Sequence, residues 1–66
     1  MNLSDFTQPE IRHLLAECNF TEEQEQLFLL RCKNHSLEEC AEEMDISVAT
    51  ASRINKKVKD KILKCL

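Results

Sequence analysis

SLEECAEEMDISVATASRI, residues 36–54, decides how this chain folds. Leu37, Cys40, Ala41 and Met44 fall at i, i+3, i+4 and i+7, which is the stripe of an amphipathic helix. Ser36 and Glu39 form the Ser-x-x-Glu box that starts such a helix. Ser47 is then placed to cap a second helix. Only Asp45 and Ile46 separate Met44 from Ser47, which leaves room for a tight turn and nothing longer. Asp is among the better residues after Gly for the left-handed conformation such a turn needs. Ile46 is positioned to plug the corner, so the two helices are expected to pack across each other as a helix-turn-helix.

The same punctuation recurs outward. TQPE (7–10) offers Thr7 as N-cap, Pro9 in the first turn and Glu10 at the box position, and TEEQ (21–24) repeats the box. Ile11, Leu14, Leu15 and Cys18 share one face of a first helix, and Leu27, Phe28, Leu30 and Cys32 give a second helix its apolar side. Ala51, Ile54, Val58, Ile62 and Cys65 line a fourth helix of about 17 residues, about 26 Å long. Asn19, Asn34 and Asp45 stand where the chain must turn. With no Gly and a single Pro, hairpins would be poorly served. The expectation is an all-α, four-helix single domain over residues 1–66, with an N-terminal helix in 1–19 and the helix-turn-helix part in 20–66.

A chain of 66 residues lies near the lower limit for burying a core without disulfides, metal or a partner. At 42% hydrophobic and 32% charged residues it is ordinary for a globular domain, which argues against disorder. The longest apolar run, Leu27 to Leu30, is far short of a membrane span. The N-terminus has neither the basic start nor the apolar stretch of a signal peptide, so a cytoplasmic location is expected. Cys18, Cys32, Cys40 and Cys65 contain no C-x-x-C pair, and three of them lie on or beside apolar stripes. They read as reduced structural thiols, with no metal and no cofactor. Cys40 should be unreactive, Cys65 reactive, and stability indifferent to chelator and reductant.

Net charge is −3, but it is polarised. Residues 1–46 carry 11 acidic and 3 basic side chains, a balance of −8; residues 47–66 carry 1 acidic and 6 basic, a balance of +5. On the fourth helix, the face opposite the apolar stripe holds Ala49, Ser52, Arg53 and Lys56, flanked by Val48 and Thr50. Small residues followed by cations suit a helix whose first turns enter a DNA major groove, where Arg binds guanine edges bidentately. Val48, Ala49, Ser52, Arg53 and Lys56 are therefore the candidates for base readout. Arg31, Lys33, Ser36, Ser47, Thr50 and Lys57 are the candidates for phosphate contact. Lys59, Lys61 and Lys64 read as solvated, and Asp60 should end the contact.

Residues 21–60 also resemble the region-4 helix-turn-helix of bacterial sigma factors. The likeness is carried by Leu30-Arg31, by Ser36 with Glu38, Glu39, Cys40 and Ala41, and by Ile46-Ser47, Thr50 and the basic tail from Arg53. LuxR-like response-regulator domains share much of the pattern, usually followed by a dimerisation helix that these residues do not include. The resemblance implies a transcription regulator or sigma-like accessory factor with double-stranded DNA, and RNA polymerase, as partners. Three positions depart from the family pattern. Asp45 replaces the common Gly, Ala51 the common Val or Ile, and Cys40 the common Ile, so the core between the helices is lean. Promoter melting, which the resemblance assigns to other sigma regions, has no visible home here.

A second reading is a protein-interaction module that grips polymerase or a sigma factor without reading DNA. Enzyme chemistry is not expected, since there is no Gly-rich phosphate loop, no oriented Cys–His pair and no metal-spaced His cluster. A weak homodimer through the end of the fourth helix is expected from Leu63, which points outward by helical phase, and Leu66, with Lys61 and Lys64 beside them.

Overall fold

Each Ser or Thr that marks a helix start in the sequence stands at one in space. In the computed structural model, which describes residues 2–65, the helices are α1 (Gln8–Glu17), α2 (Glu22–Cys32), α3 (Leu37–Met44) and α4 (Val48–Cys65). No strand occurs among the described residues. Thr7, Thr21 and Ser36 close complete capping boxes: each hydroxyl accepts from the backbone N–H three residues on, and Glu10, Gln24 or Glu39 reaches back to the cap N–H. Ser47 Oγ accepts the Thr50 N–H at 3.1 Å and caps α4 in the same manner.

The helix ends are made without glycine. Asn34 (φ 68°) and Asp45 (φ 56°) take the left-handed conformation. At both corners the next N–H reaches back five residues, His35 to the Leu30 carbonyl at 3.2 Å and Ile46 to the Ala41 carbonyl at 2.9 Å. This is the Schellman ending, and a short polar side chain makes its left-handed residue tolerable. Asn19 differs from the expectation. It keeps negative φ, because α1 ends by extending at Cys18 and turning through a Phe20 N–H to Cys18 carbonyl bond of 2.9 Å.

α2 is the central element. It packs against α3, against α4 and against a single 3-10 turn at Leu3–Asp5, while α1 lies on α4. Leu27, Phe28, Cys40, Ala51, Val58 and Ile62 are fully buried, and Leu3 is only 1% exposed. The N-terminal turn therefore closes the core, a role nothing in its sequence announces. Phe20 and Phe6 tilt against Phe28 with ring centroids 5.2 and 6.5 Å away, a geometry aromatic pairs favour.

On α4 the buried line runs through Ala51, Asn55, Val58 and Ile62, with Ile54 and Cys65 half-buried. The stripe expected through Ile54 is thus rotated, and a polar residue occupies it. Asn55 is 9% exposed and its Oδ1 has no partner, which is costly in a small core. Hydropathy could not place Asn55 inward. The position is decided by where α2 and α3 lie on α4.

The caps make a testable contribution. Ser36→Ala removes the acceptor for the Glu39 N–H and should cost about 1 kcal/mol in denaturant unfolding. The Thr7 N–H holds the Glu10 carboxyl below its ordinary value, and the Ser36 N–H does the same to Glu39. Lowered folded-state values stabilise above the ordinary carboxylate range, and that stabilisation is lost as pH falls through the folded values. The acid limb of the stability curve should therefore flatten in a Glu10→Gln, Glu39→Gln double variant. An unchanged limb would mean the boxes do not persist in solution.

Candidate nucleic-acid interface

The face of α4 turned away from the core carries the expected readout set. Val48 is 45% exposed, and Ala49, Ser52, Arg53, Lys56 and Lys57 are also exposed. Taken at 100° per residue, Ser52, Lys56, Ala49, Asp60, Arg53 and Lys57 span one continuous arc opposite Ala51, Asn55, Val58 and Ile62. Among the described residues the sole ion pair within 4.0 Å is His35 Nδ1 with Glu39 Oε2, at 3.8 Å. Arg53, Lys56 and Lys57 thus present cationic groups with no carboxylate of the described residues within 4.0 Å, although Asp60 lies on the same arc.

The phosphate candidates divide. Lys33 and Lys57 are exposed. The Ser47 and Thr50 hydroxyls lie 2.9 Å apart within the α4 cap, and Ser36 Oγ accepts from the Glu39 N–H, so all three hydroxyls already serve local structure. Arg31 is half-buried and donates from Nη1 to the His35 carbonyl at 2.9 Å, while its buried Nε has no partner. That bond ties Arg31 to the α2–α3 corner.

Two features were not legible from spacing. Thr50, Arg53 and Lys57 share a shallow depression with Ile54 and with Glu23 from the first turn of α2, so a second carboxylate besides Asp60 stands at the cationic arc. Lys61, read as solvated, is partly buried; its Nζ donates to the Asn19 carbonyl and to Gln24 Oε1, each at 2.6 Å. The same Gln24 oxygen accepts the Thr21 N–H at 3.0 Å. Lys61 therefore pins α4 to the α1–α2 turn. No local signal could reveal this, since the partners lie 37 and 42 residues away.

Two other surface depressions are rich in carboxylates. His35, Glu39, Glu42 and Glu43 line a depression on α3, and Glu22, Glu25, Gln26 and Leu29 line another on α2. Positive charge is confined largely to α4, and α3 reaches it through a turn of three residues, Asp45 to Ser47.

No protein-family model, curated protein or solved structure matches the chain. The expected resemblance to sigma region 4 therefore rests on the sequence of residues 21–60 alone. What the site can do rests on the exposed arc of α4, its unpaired cations and the short turn before it.

Proposed function

We propose that this chain is a DNA-binding domain of the sigma region 4-like helix-turn-helix kind. It places the first turns of α4 in the major groove and acts in transcription, as a regulator or accessory factor, without catalysis. The observation that carries this reading is the exposed α4 arc of Arg53, Lys56 and Lys57, none ion-paired within 4.0 Å among the described residues, on a chain whose first 46 residues balance at −8. Arg53 and Lys56 reach bases, with Val48, Ala49 and Ser52 allowing close approach; Lys57 and Lys33 meet phosphates. Ser36, Ser47 and Thr50 contribute mainly by holding helix starts in place, and Arg31 by holding the α2–α3 corner. The site of action is the cytoplasm. No helix among the described residues is long and apolar enough to cross a membrane.

Titration of random duplex DNA at several salt concentrations tests this reading. Each phosphate contacted contributes a slope of about −0.9 in log affinity against log salt. Roughly four contacts would give a loss on the order of a hundredfold over a fourfold rise in salt. Absence of duplex binding at low salt would sink the proposal and leave the second reading, a module that docks on polymerase or a sigma factor. That reading has its own observation: Leu29, 36% exposed on the acidic outer side of α2.

A single recognition helix covers one half-site, so a second grip is needed. Leu63, 61% exposed, supports a weak homodimer through the end of α4. Leu66 lies outside the described residues, and Lys61 is tied to the α1–α2 turn, so Lys64 is the lysine left beside such a contact.

A further inference from the structure

The cysteines fall into two classes. Cys40 is buried at the α3 core, and Cys32 is half-buried, its thiol pushed up to about 11 by burial. No grouping of three or more His, Cys, Asp or Glu among the described residues could hold a metal. Cys18 and Cys65 differ from these two: their Sγ atoms lie 2.9 Å apart although 47 residues separate them in sequence. Cys18 closes the end of α1, and Cys65 is the last residue of α4. Cys65, the thiol expected to be reactive, is free and half-covered, and it stands against Cys18.

We propose that Cys18 and Cys65 are a site of reversible oxidation, forming an intramolecular disulfide that staples the end of α1 to the end of α4. The two sulfurs stand about 0.9 Å beyond bonding distance, so closure needs only small side-chain movement. The oxidant is a small-molecule disulfide such as oxidised glutathione, and the steps follow from which thiol solvent can reach. Cys65, the more exposed, gives its proton to water and attacks one glutathione sulfur, expelling the first glutathione as thiolate. Cys18 then attacks the Cys65 sulfur of the mixed disulfide, breaking its bond to the second glutathione, which leaves with the Cys18 proton. Two protein thiols are oxidised and one glutathione disulfide is reduced to two thiols.

Desolvation, and the hydrogen bond and charge of Cys65, push the Cys18 thiol up to about 12.

The staple lies at the far end of α4 from Val48 to Lys56, and it closes a loop across most of the chain. Removing that much freedom from the unfolded state should raise the melting temperature by roughly 10 °C or more. On this proposal, the indifference to reductant expected from the sequence does not extend to the oxidised protein.

The test is to incubate the purified, reduced protein with oxidised glutathione and map its disulfides by mass spectrometry after proteolysis. The expected product is monomeric, lighter by two hydrogens, linked Cys18 to Cys65, higher melting and restored by dithiothreitol. Cys65→Ser should give neither the link nor the shift, and Cys18→Ser should stop at a glutathione adduct on Cys65. A wild-type product that stays glutathionylated, pairs through Cys32 or Cys40, or links two chains would overturn the proposal. Because the mapping is done on the wild-type chain, its result does not depend on how either variant folds.

Discussion

Arg53→Ala is expected to weaken binding to the preferred duplex by about 1–3 kcal/mol, a loss of roughly 5- to 150-fold, and to relax specificity at one base pair. Arg53 is exposed on the second turn of α4, no carboxylate lies within 4.0 Å of it, and it does not contribute to the core. The fold should survive its removal, so a binding loss reports on contact rather than stability. Lys56→Ala should weaken binding more evenly across sequences, because Lys is a point charge without the planar fork of Arg. Comparing both variants on a selected site and on random duplex separates base readout from phosphate contact. Equal affinities of the wild type and Arg53→Ala on both duplexes would remove α4 from the major groove. Glu23, which borders the same depression, offers a check of opposite sign. Glu23→Gln should strengthen nonspecific binding by removing a nearby repulsive charge.

Phe28→Ala is expected to unfold much of the population at room temperature. Phe28 is fully buried where α2 meets the N-terminal turn, with Phe6 and Phe20 tilted against its ring. Truncating a buried Phe typically costs about 3–5 kcal/mol, which is as much as a core this small usually supplies. Far-UV circular dichroism should show most helicity lost and the remainder melting without a sharp transition. The neighbouring Leu29→Ala, on the exposed side of the same helix, is the control and should change stability by less than about 1 kcal/mol. A Phe28→Ala protein with a cooperative melt near the wild-type temperature would show that the stability centre lies elsewhere.

Much of this molecule is determined by short-range pattern in the sequence. The capping boxes at Thr7, Thr21 and Ser36, the cap at Ser47 and the left-handed Asn34 and Asp45 each involve partners within five residues. A backbone donor and a side-chain acceptor at such spacing meet whatever the rest of the chain does, so helix number and boundaries were legible. The exposed arc from Ala49 to Lys57 was legible for a related reason, because helical phase alone puts those side chains on one side once any other side is buried.

Tertiary structure decided the remainder. Leu3 and Phe6 carry no periodic signal, yet Leu3 is buried and Phe6 tilts against Phe28 because the N-terminal turn folds back on α2. Asn55 faces the core and Ile54 is only half-buried, since the packing of α2 and α3 rotates the buried line of α4 away from its most apolar course. Lys61 reaches Asn19 and Gln24, and Cys18 meets Cys65, across 37 to 47 residues. Contacts that long are fixed by how whole helices pack, and no local arrangement of residue types encodes them.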